Sequence, residues 1–272
     1  LIFGDYDVDG TTSAAFLTLF FQSINIEVHY YIPSREKEGY GVSKQGIDYA
    51  KLIGADILIT CDCGINAFDK VAYAREKGLD VIITDHHKPD KILPDAHAIV
   101  NPNRKDCQYP FKGLCGAGVV FKLALGICKK GGFNPEHVWE NSDVVTLGIA
   151  GDLVPIQDEN RIIVHHGIRQ MKKGTNKGIT ALLKTGGLFG KEITVGRLVF
   201  WIAPKINAAG RLGDAARAVK LLTTQNPMLA MEIAQELEKE NNRRKDITEQ
   251  MTNDAIYMVK TSCDLENENV II

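Results

Sequence analysis

No apolar run in these 272 residues approaches the roughly 20 that a membrane-spanning helix needs, which excludes a helical membrane protein. C-x-x-C pairs are missing too: the six cysteines, at 61, 63, 107, 115, 128 and 263, form no regular framework. Reduced thiols in the cytoplasm are therefore expected. The start lacks both an initiator Met and the tripartite pattern of a signal peptide; Leu1-Ile2-Phe3 reads as the middle of a strand, and the chain is expected to be a fragment. Strong net charge is also absent. The balance of −2 would argue against a nucleic-acid partner if it were evenly spread, but residues 161–220 hold twelve Lys and Arg against Glu192 and Asp214, a local +10 that leaves −12 elsewhere. Such segregation suits a phosphate-tracking surface beside an acidic centre. Aromatics are sparse in that basic segment, with only Phe189, Phe200 and Trp201, so base stacking has little support from the sequence.

What is present is a recurring pattern of apolar runs that end in carboxylates and imidazoles. Leu1-Ile2-Phe3 leads into Asp5-Tyr6-Asp7-Val8-Asp9-Gly10, Ile57 to Cys61 into Asp62, Val81 to Thr84 into Asp85-His86-His87, and Val144 to Ala150 into Asp152. In an open parallel sheet the carboxyl ends of the strands share one edge, where ligands bind. Clustered carboxylates repel one another and demand protons or cations. Oxygen-rich ligation with one or two imidazoles suits Mn²⁺, with Mg²⁺ a weaker fit. Two ions roughly 3.5–4 Å apart would form a clamp for in-line hydrolysis of a phosphoryl ester. Asp7 and Asp9 could instead cap a helix starting near Thr11, and Asp85 could open a turn. Capping, however, needs one carboxylate per helix end and no histidine pair. Cys61 and Cys63 flank Asp62 and should point away from it by strand alternation, so they are not read as ligands.

The segments Gly4 to Gly10, Cys61-Asp62-Cys63-Gly64, Asp85-His86-His87 and Gly151-Asp152-Leu153-Val154-Pro155 resemble the four successive motifs of the DHH phosphoesterase superfamily. Arg35 to Gly41, Asn101-Pro102-Asn103, Leu114 to Val119 and Pro204 to Leu212 narrow the resemblance to the RecJ-like branch of single-strand-specific exonucleases. It implies that Asp7 and Asp5 hold one Mn²⁺, that Asp9, His86 and Asp152 hold the other, and that Asp62 bridges them. Asp5 and Asp85 both remain candidates for direct ligation, with Asp85 also able to orient an imidazole. His87 is implied to contact a non-bridging phosphate oxygen, supported by Arg211 and Asn207, while Arg35 binds phosphate on the DNA. The implied reaction is 5′→3′ hydrolysis of single-stranded DNA to 5′-mononucleotides in repair and recombination, by a monomer, with a single-strand binding protein or a helicase as partner. Two alternatives share the motifs: a phosphodiesterase acting on oligoribonucleotides or cyclic dinucleotides, and a non-catalytic replication scaffold.

With 44% hydrophobic and 24% charged residues, the chain can bury a sizeable core. Strands near 1–5, 26–32, 56–61, 79–84 and 97–100 alternate with helices near 11–23, 43–53 and 66–77, which predicts an α/β fold with a parallel sheet flanked by helices. Helices near 116–130, 135–150, 160–172 and 176–185 should follow. Residues 1–190 are read as the metal-bearing DHH domain, 191–225 as a helical DNA-binding segment, and 226–262 as a long interdomain helix. Residues 263–272 are read as the start of a second, DHHA1-like domain. Between Met228 and Lys260 there is no Pro or Gly, and the middle of that stretch is almost wholly polar, so the helix is expected to bridge solvent. Gly116 and Gly118, ahead of an apolar helix, could serve close packing or phosphate contact. Gly210, Gly213 and their small neighbours are expected to let the backbone approach a polyanion.

Overall fold

The computed structural model describes residues 1–212 and 214–262. The expected start of a further domain at 263–272, and Gly213, lie outside the described residues. Among them the sheet has five parallel strands in the order β2 (Tyr30–Tyr31), β1 (Ile2–Gly4), β3 (Ile57–Cys61), β4 (Asp80–Thr84) and β5 (Ala98–Val100). Alternation sorts the side chains of β1 between two cores. Ile2 packs with Val8, Phe16, Leu17 and Phe121 on the face of α1 (Val8–Ser23) and α4 (Gly116–Gly131), while Phe3 packs with Ile47, Ala50, Val71 and Ala74 on the face of α2 (Lys44–Leu52) and α3 (Phe68–Glu76). This is the two-sided burial that near-continuous apolar strands require.

Register brings the strand ends into line. Gly4 pairs with Cys61, Cys61 with Thr84, and Thr84 with Val100, so Asp5, Asp62, Asp85 and Asn101 each follow the last paired residue of their strands in one row across the edge. The ladder runs one step further, with Asp5 N–H, Asp62 N–H and Asp85 N–H donating to the carbonyls of Cys61, Thr84 and Val100.

Helices make up the remainder: α5 (Glu136–Trp139), α6 (Ser142–Gly151), α7 (Asp158–Lys173), α8 (Lys177–Thr185), α9 (Val195–Arg197), α10 (Ala203–Leu212), α11 (Ala216–Thr223) and α12 (Pro227–Ser262). The single helix expected over 135–150 is two, because Asn141 leaves helical geometry at φ −102°, ψ 15°. A π-helical turn, Leu198–Ile202, joins α9 to α10. The Asn207–Leu212 segment lies within α10. Gly210 there permits close packing: a Cβ would lie 2.5 Å from the carbonyl oxygen of Tyr6. Gly210 thus brings a helix against the acidic loop of this same chain.

Pro227 opens α12, where its missing N–H costs nothing. The helix is solvent-bridging over only its second half. Ala230, Ile233, Ala234, Leu237 and Asn241 are buried, whereas Ile247, Met251 and Met258 are exposed. A buried ion pair, Lys205 with Glu238, ties the packed half to α10.

Candidate metal centre

The acidic loop between β1 and α1 is built for tight approach. A Cβ on Gly10 would lie 2.5 Å from both N and O of Asp5, so only glycine lets the first turn of α1 close over the strand end. Asp7 is the N-cap, its Oδ1 accepting from Gly10 N–H at 3.0 Å. The capping reading thus holds for one oxygen of Asp7, with the helix starting at Val8, and Asp9 sits inside the first turn. Asn207 Oδ1 accepts from Val8 N–H at 2.9 Å, which fixes the loop from outside. Asp9 is clamped by α4: Gly116 N–H donates to Oδ2 at 2.5 Å and Ala117 N–H to Oδ1 at 2.9 Å. The helix N-terminus that could have met a phosphate holds a carboxylate of the protein. A Cβ on Gly116 would stand 2.6 Å from Asp62 Cβ, so that clamp too needs glycine.

Asp62 leaves β3 with φ +63°, a left-handed conformation that a non-glycine residue adopts at a cost. Its Oδ1 is buried, accepts no hydrogen bond, and lies 3.1 Å from His86 Nε2. Two facing ligand atoms with no hydrogen bond between them are what a shared ion would leave. The double-histidine loop is held by its neighbours. Asp85 Oδ1 accepts from His86 N–H, His87 N–H and His87 Nδ1 at 2.7, 3.0 and 2.8 Å, and Oδ2 accepts from Ile65 N–H at 3.0 Å. From beyond β5, Asn101 Nδ2 donates to His87 O at 2.9 Å and Asn103 Nδ2 to His86 O at 2.5 Å. Both asparagines were legible only as a motif; the cue to their role is an Asn placed just after a strand that neighbours the histidine-bearing one.

Asp152 arrives differently from the other three clusters. It ends α6, in line with the helix expected to reach residue 150. The C-terminal end of a helix is an unfavourable place for a carboxylate, and burial with Asp9 and Asp7 nearby raises its pKa to about 7.

These segments bring together two compact donor sets, Asp5 with Asp7 and Asp62, and Asp9 with His86 and Asp152; a third set, Asp62 with His86 and His87, connects them. The six proposed ligands and His87 thus share one site. Asp85 is in none of the sets, its oxygens being taken by amides and His87. Burial and the neighbouring Asp7 push Asp5 up to about 7, and its Oδ2 has no hydrogen-bond partner. Asp62 is raised well above the carboxylate range by burial and then by Asp9, Asp7, Asp85 and Asp5. Asp9 is raised by burial, against the pull of His86. Burial lowers His86 and keeps it neutral, as a ligand must be. His87 moves the other way, raised by its hydrogen bond to Asp85. Mutually repelling carboxylates, orphaned oxygens and a neutral imidazole fit divalent cations. Cys61 and Cys63 do not take part: both thiols are buried, Cys61 is pushed up to about 12 by burial, and neither belongs to a donor set.

The DHH family, N-terminal domain, matches residues 1–149. The chain belongs to the DHH family. Within DHH proteins it is 42% identical to the single-stranded-DNA-specific exonuclease RecJ of Bacillus subtilis over 96% of this chain and 32% of that protein. The corresponding RecJ of Escherichia coli is 37% identical over 95% of this chain and 47% of its own length. The chain thus spans about a third to a half of these curated relatives. Among solved structures it is similar to an exonuclease RecJ bound to manganese, with a TM-score of 0.84 and 34% identity, covering 93% of this chain and 63% of that one. A Thermus thermophilus RecJ in complex with Mn²⁺ gives 0.81 and 30%, covering 97% and 37%.

Two arginines flank the DHH centre. Arg35 lies over the Tyr6 ring, 5.5 Å from its centroid, and shares with Arg211 a cavity of about 780 Å³ that Ser34 and Gly210 also line. Among the described residues neither arginine forms an ion pair. Tyr40 is a residue that sequence reasoning passed over: its hydroxyl lies 3.4 Å from His87 Nε2, and its ring meets Tyr6 edge-on at 6.4 Å.

Proposed function

We propose that this chain is the catalytic core of a metal-dependent exonuclease that hydrolyses single-stranded DNA in the 5′→3′ direction and releases 5′-mononucleotides. The observation that carries the reading is the pair of buried donor sets connected through Asp62. Similarity to RecJ proteins along nearly the whole chain supports the substrate class. Asp5, Asp7 and Asp62 would hold one Mn²⁺, and Asp9, His86, Asp152 and Asp62 the other, with Mg²⁺ a weaker substitute. When bound, such a pair lowers the pKa of water for in-line attack and neutralises charge on the phosphoryl oxygens.

The remaining roles belong to the protein's own groups. Asp85 holds His87 Nδ1 and favours its protonated form, which leaves Nε2 as the donor for a non-bridging phosphate oxygen. Arg35 and Arg211 offer planar guanidinium groups to phosphates of the strand in the cavity they share. Asn207 contributes by holding Val8, and through it Asp7 and Asp9. We assign residues 1–190 to the metal-bearing domain, 191–225 to a DNA-binding helical segment and 226–262 to an interdomain helix. No helix among the described residues is long and apolar enough to cross a membrane. We infer a monomer that acts in the cytoplasm in DNA repair and recombination, beside a single-strand binding protein or a helicase.

The test is the purified chain with Mn²⁺ and end-labelled single-stranded DNA, compared with duplex DNA, short RNA and cyclic dinucleotides. Stepwise loss of 5′-mononucleotides from the single strand is expected. Hydrolysis of cyclic dinucleotides or RNA in preference to it would overturn the reading.

A further inference from the structure

Exposure along the helical stretch that ends at Arg211 is periodic. Ile202, Ala203, Lys205, Ile206, Ala208 and Ala209 are buried, whereas Phe200, Trp201, Pro204, Asn207 and Arg211 keep contact with solvent. Phe200, Pro204, Asn207 and Arg211 are spaced by four, three and four residues, so they form one stripe along the helix. One end of the stripe is the metal centre, where Asn207 holds Val8 and Arg211 shares a cavity with Arg35. The other end lies about 16 Å away at the helical rise per residue. There Phe200 is 78% and Trp201 57% exposed.

Two adjacent exposed aromatics on a helix need a cause, and the π-turn Leu198–Ile202 supplies it. An extra residue per turn lets Phe200 and Trp201 both face outward while Leu198 and Ile202, on either side of them, remain buried. The segment that carries them is basic, residues 161–220 holding a local +10. Phe189, also exposed, has the Lys184 ammonium 5.0 Å from its ring centroid. Flat apolar rings on a basic segment fit an occupant that is both polyanionic and equipped with π-faces, which is a single strand of nucleic acid.

We propose that Phe200 and Trp201 form a base-stacking platform for the strand a few nucleotides away from the metal centre, with Pro204, Asn207 and Arg211 as the track between. The proposal rests on the nuclease reading above and adds to it a source of single-strand preference. Bases already stacked inside a duplex cannot lie on the rings, so a duplex forfeits this contact.

Trp201 is its own reporter, because the chain has two tryptophans and Trp139→Phe leaves it alone. With EDTA present to stop hydrolysis, an oligothymidylate of about 12 nucleotides should quench its fluorescence saturably. Phe200→Ala and Trp201→Ala should each weaken binding of that strand about fivefold or more, and shrink the gain in affinity between strands of about 3 and about 12 nucleotides. Thermal midpoints should stay put, since both side chains are exposed. Absent quenching with unchanged affinity in both variants would overturn the platform, while Mn²⁺-dependent hydrolysis of the same strand would leave the exonuclease reading standing. If the wild-type protein neither binds nor hydrolyses the strand, both fall. Loss of self-association with strand affinity intact would mark a protein contact and also overturn the proposal.

Discussion

Asp62 shows how little of a ligand's role lies in its own side chain. A buried carboxylate with positive φ, one oxygen without a hydrogen-bond partner and an imidazole nitrogen at 3.1 Å is tolerable only where a cation offsets the repulsion. Asp62→Ala should abolish hydrolysis and lower Mn²⁺ occupancy as counted by elemental analysis; near-wild-type turnover would defeat the two-metal reading. The neighbouring histidines should separate cleanly. His86→Ala removes a buried neutral nitrogen from a donor set and should weaken Mn²⁺ binding at least tenfold by calorimetric titration. His87→Ala should slow turnover while metal affinity stays within a few-fold; equal behaviour in the titration would refute the division of roles. At this scale the sequence was informative about which residues gather, because strand ends of a parallel sheet share an edge. It was silent on what holds them. The amides of Gly116 and Ala117 on Asp9, and the side chains of Asn101 and Asn103 on the histidine loop, act across sequence separations that no local spacing reveals.

Elements carry the site by approaching one another more closely than ordinary side chains permit. The alternation of apolar runs and helical segments made the sheet and its flanking helices legible, since period and strand length are local properties. That a helix leads into Asp152 was legible too, although Thr146 and Gly148 interrupt the apolar run; its break at Asn141 was not, because no Pro or Gly marks it. Local signals are as poor a guide to α10, where Gly210 lies inside the helix and serves its packing against the acidic loop. Gly210→Ala tests that reading. Its Cβ would meet the Tyr6 carbonyl oxygen at 2.5 Å, backbone that cannot swing aside, so α10 or the acidic loop must move. A stability loss of about 1–3 kcal/mol by urea titration is expected. Mn²⁺ affinity should fall with it because Tyr6 lies between Asp5 and Asp7; an unchanged urea midpoint would show that the contact is loose.

Across the whole molecule, the cost of assembling the centre is a stability that depends on pH. Asp5, Asp9, Asp62, Asp143 and Asp152 all have raised pKa values, with burial the first cause in each. A raised carboxylate binds its proton more tightly when folded than when unfolded, so the metal-free fold should be most stable below about pH 4 as far as these groups are concerned. That contribution is then lost as pH rises from about 4 towards 7. Asp143 provides an internal control. It is raised to about 7 by burial, stands in no donor set, and has one oxygen without a partner. Its shift corresponds to a ceiling of about 4 kcal/mol at neutral pH, so Asp143→Asn should flatten the metal-free decline in Tm between pH 5 and pH 8. Mn²⁺ should act on the other carboxylates, raising Tm more at pH 8 than at pH 5, where it must displace protons to bind. The Mn²⁺ increment should be the same in the wild type and in Asp143→Asn, because the cation and Asp143 act on separate charges. Differential scanning calorimetry of the two proteins at both pH values, with and without Mn²⁺, measures all of these quantities. A metal-free Tm that rose towards pH 8, or a Mn²⁺ increment that vanished in Asp143→Asn, would break the account.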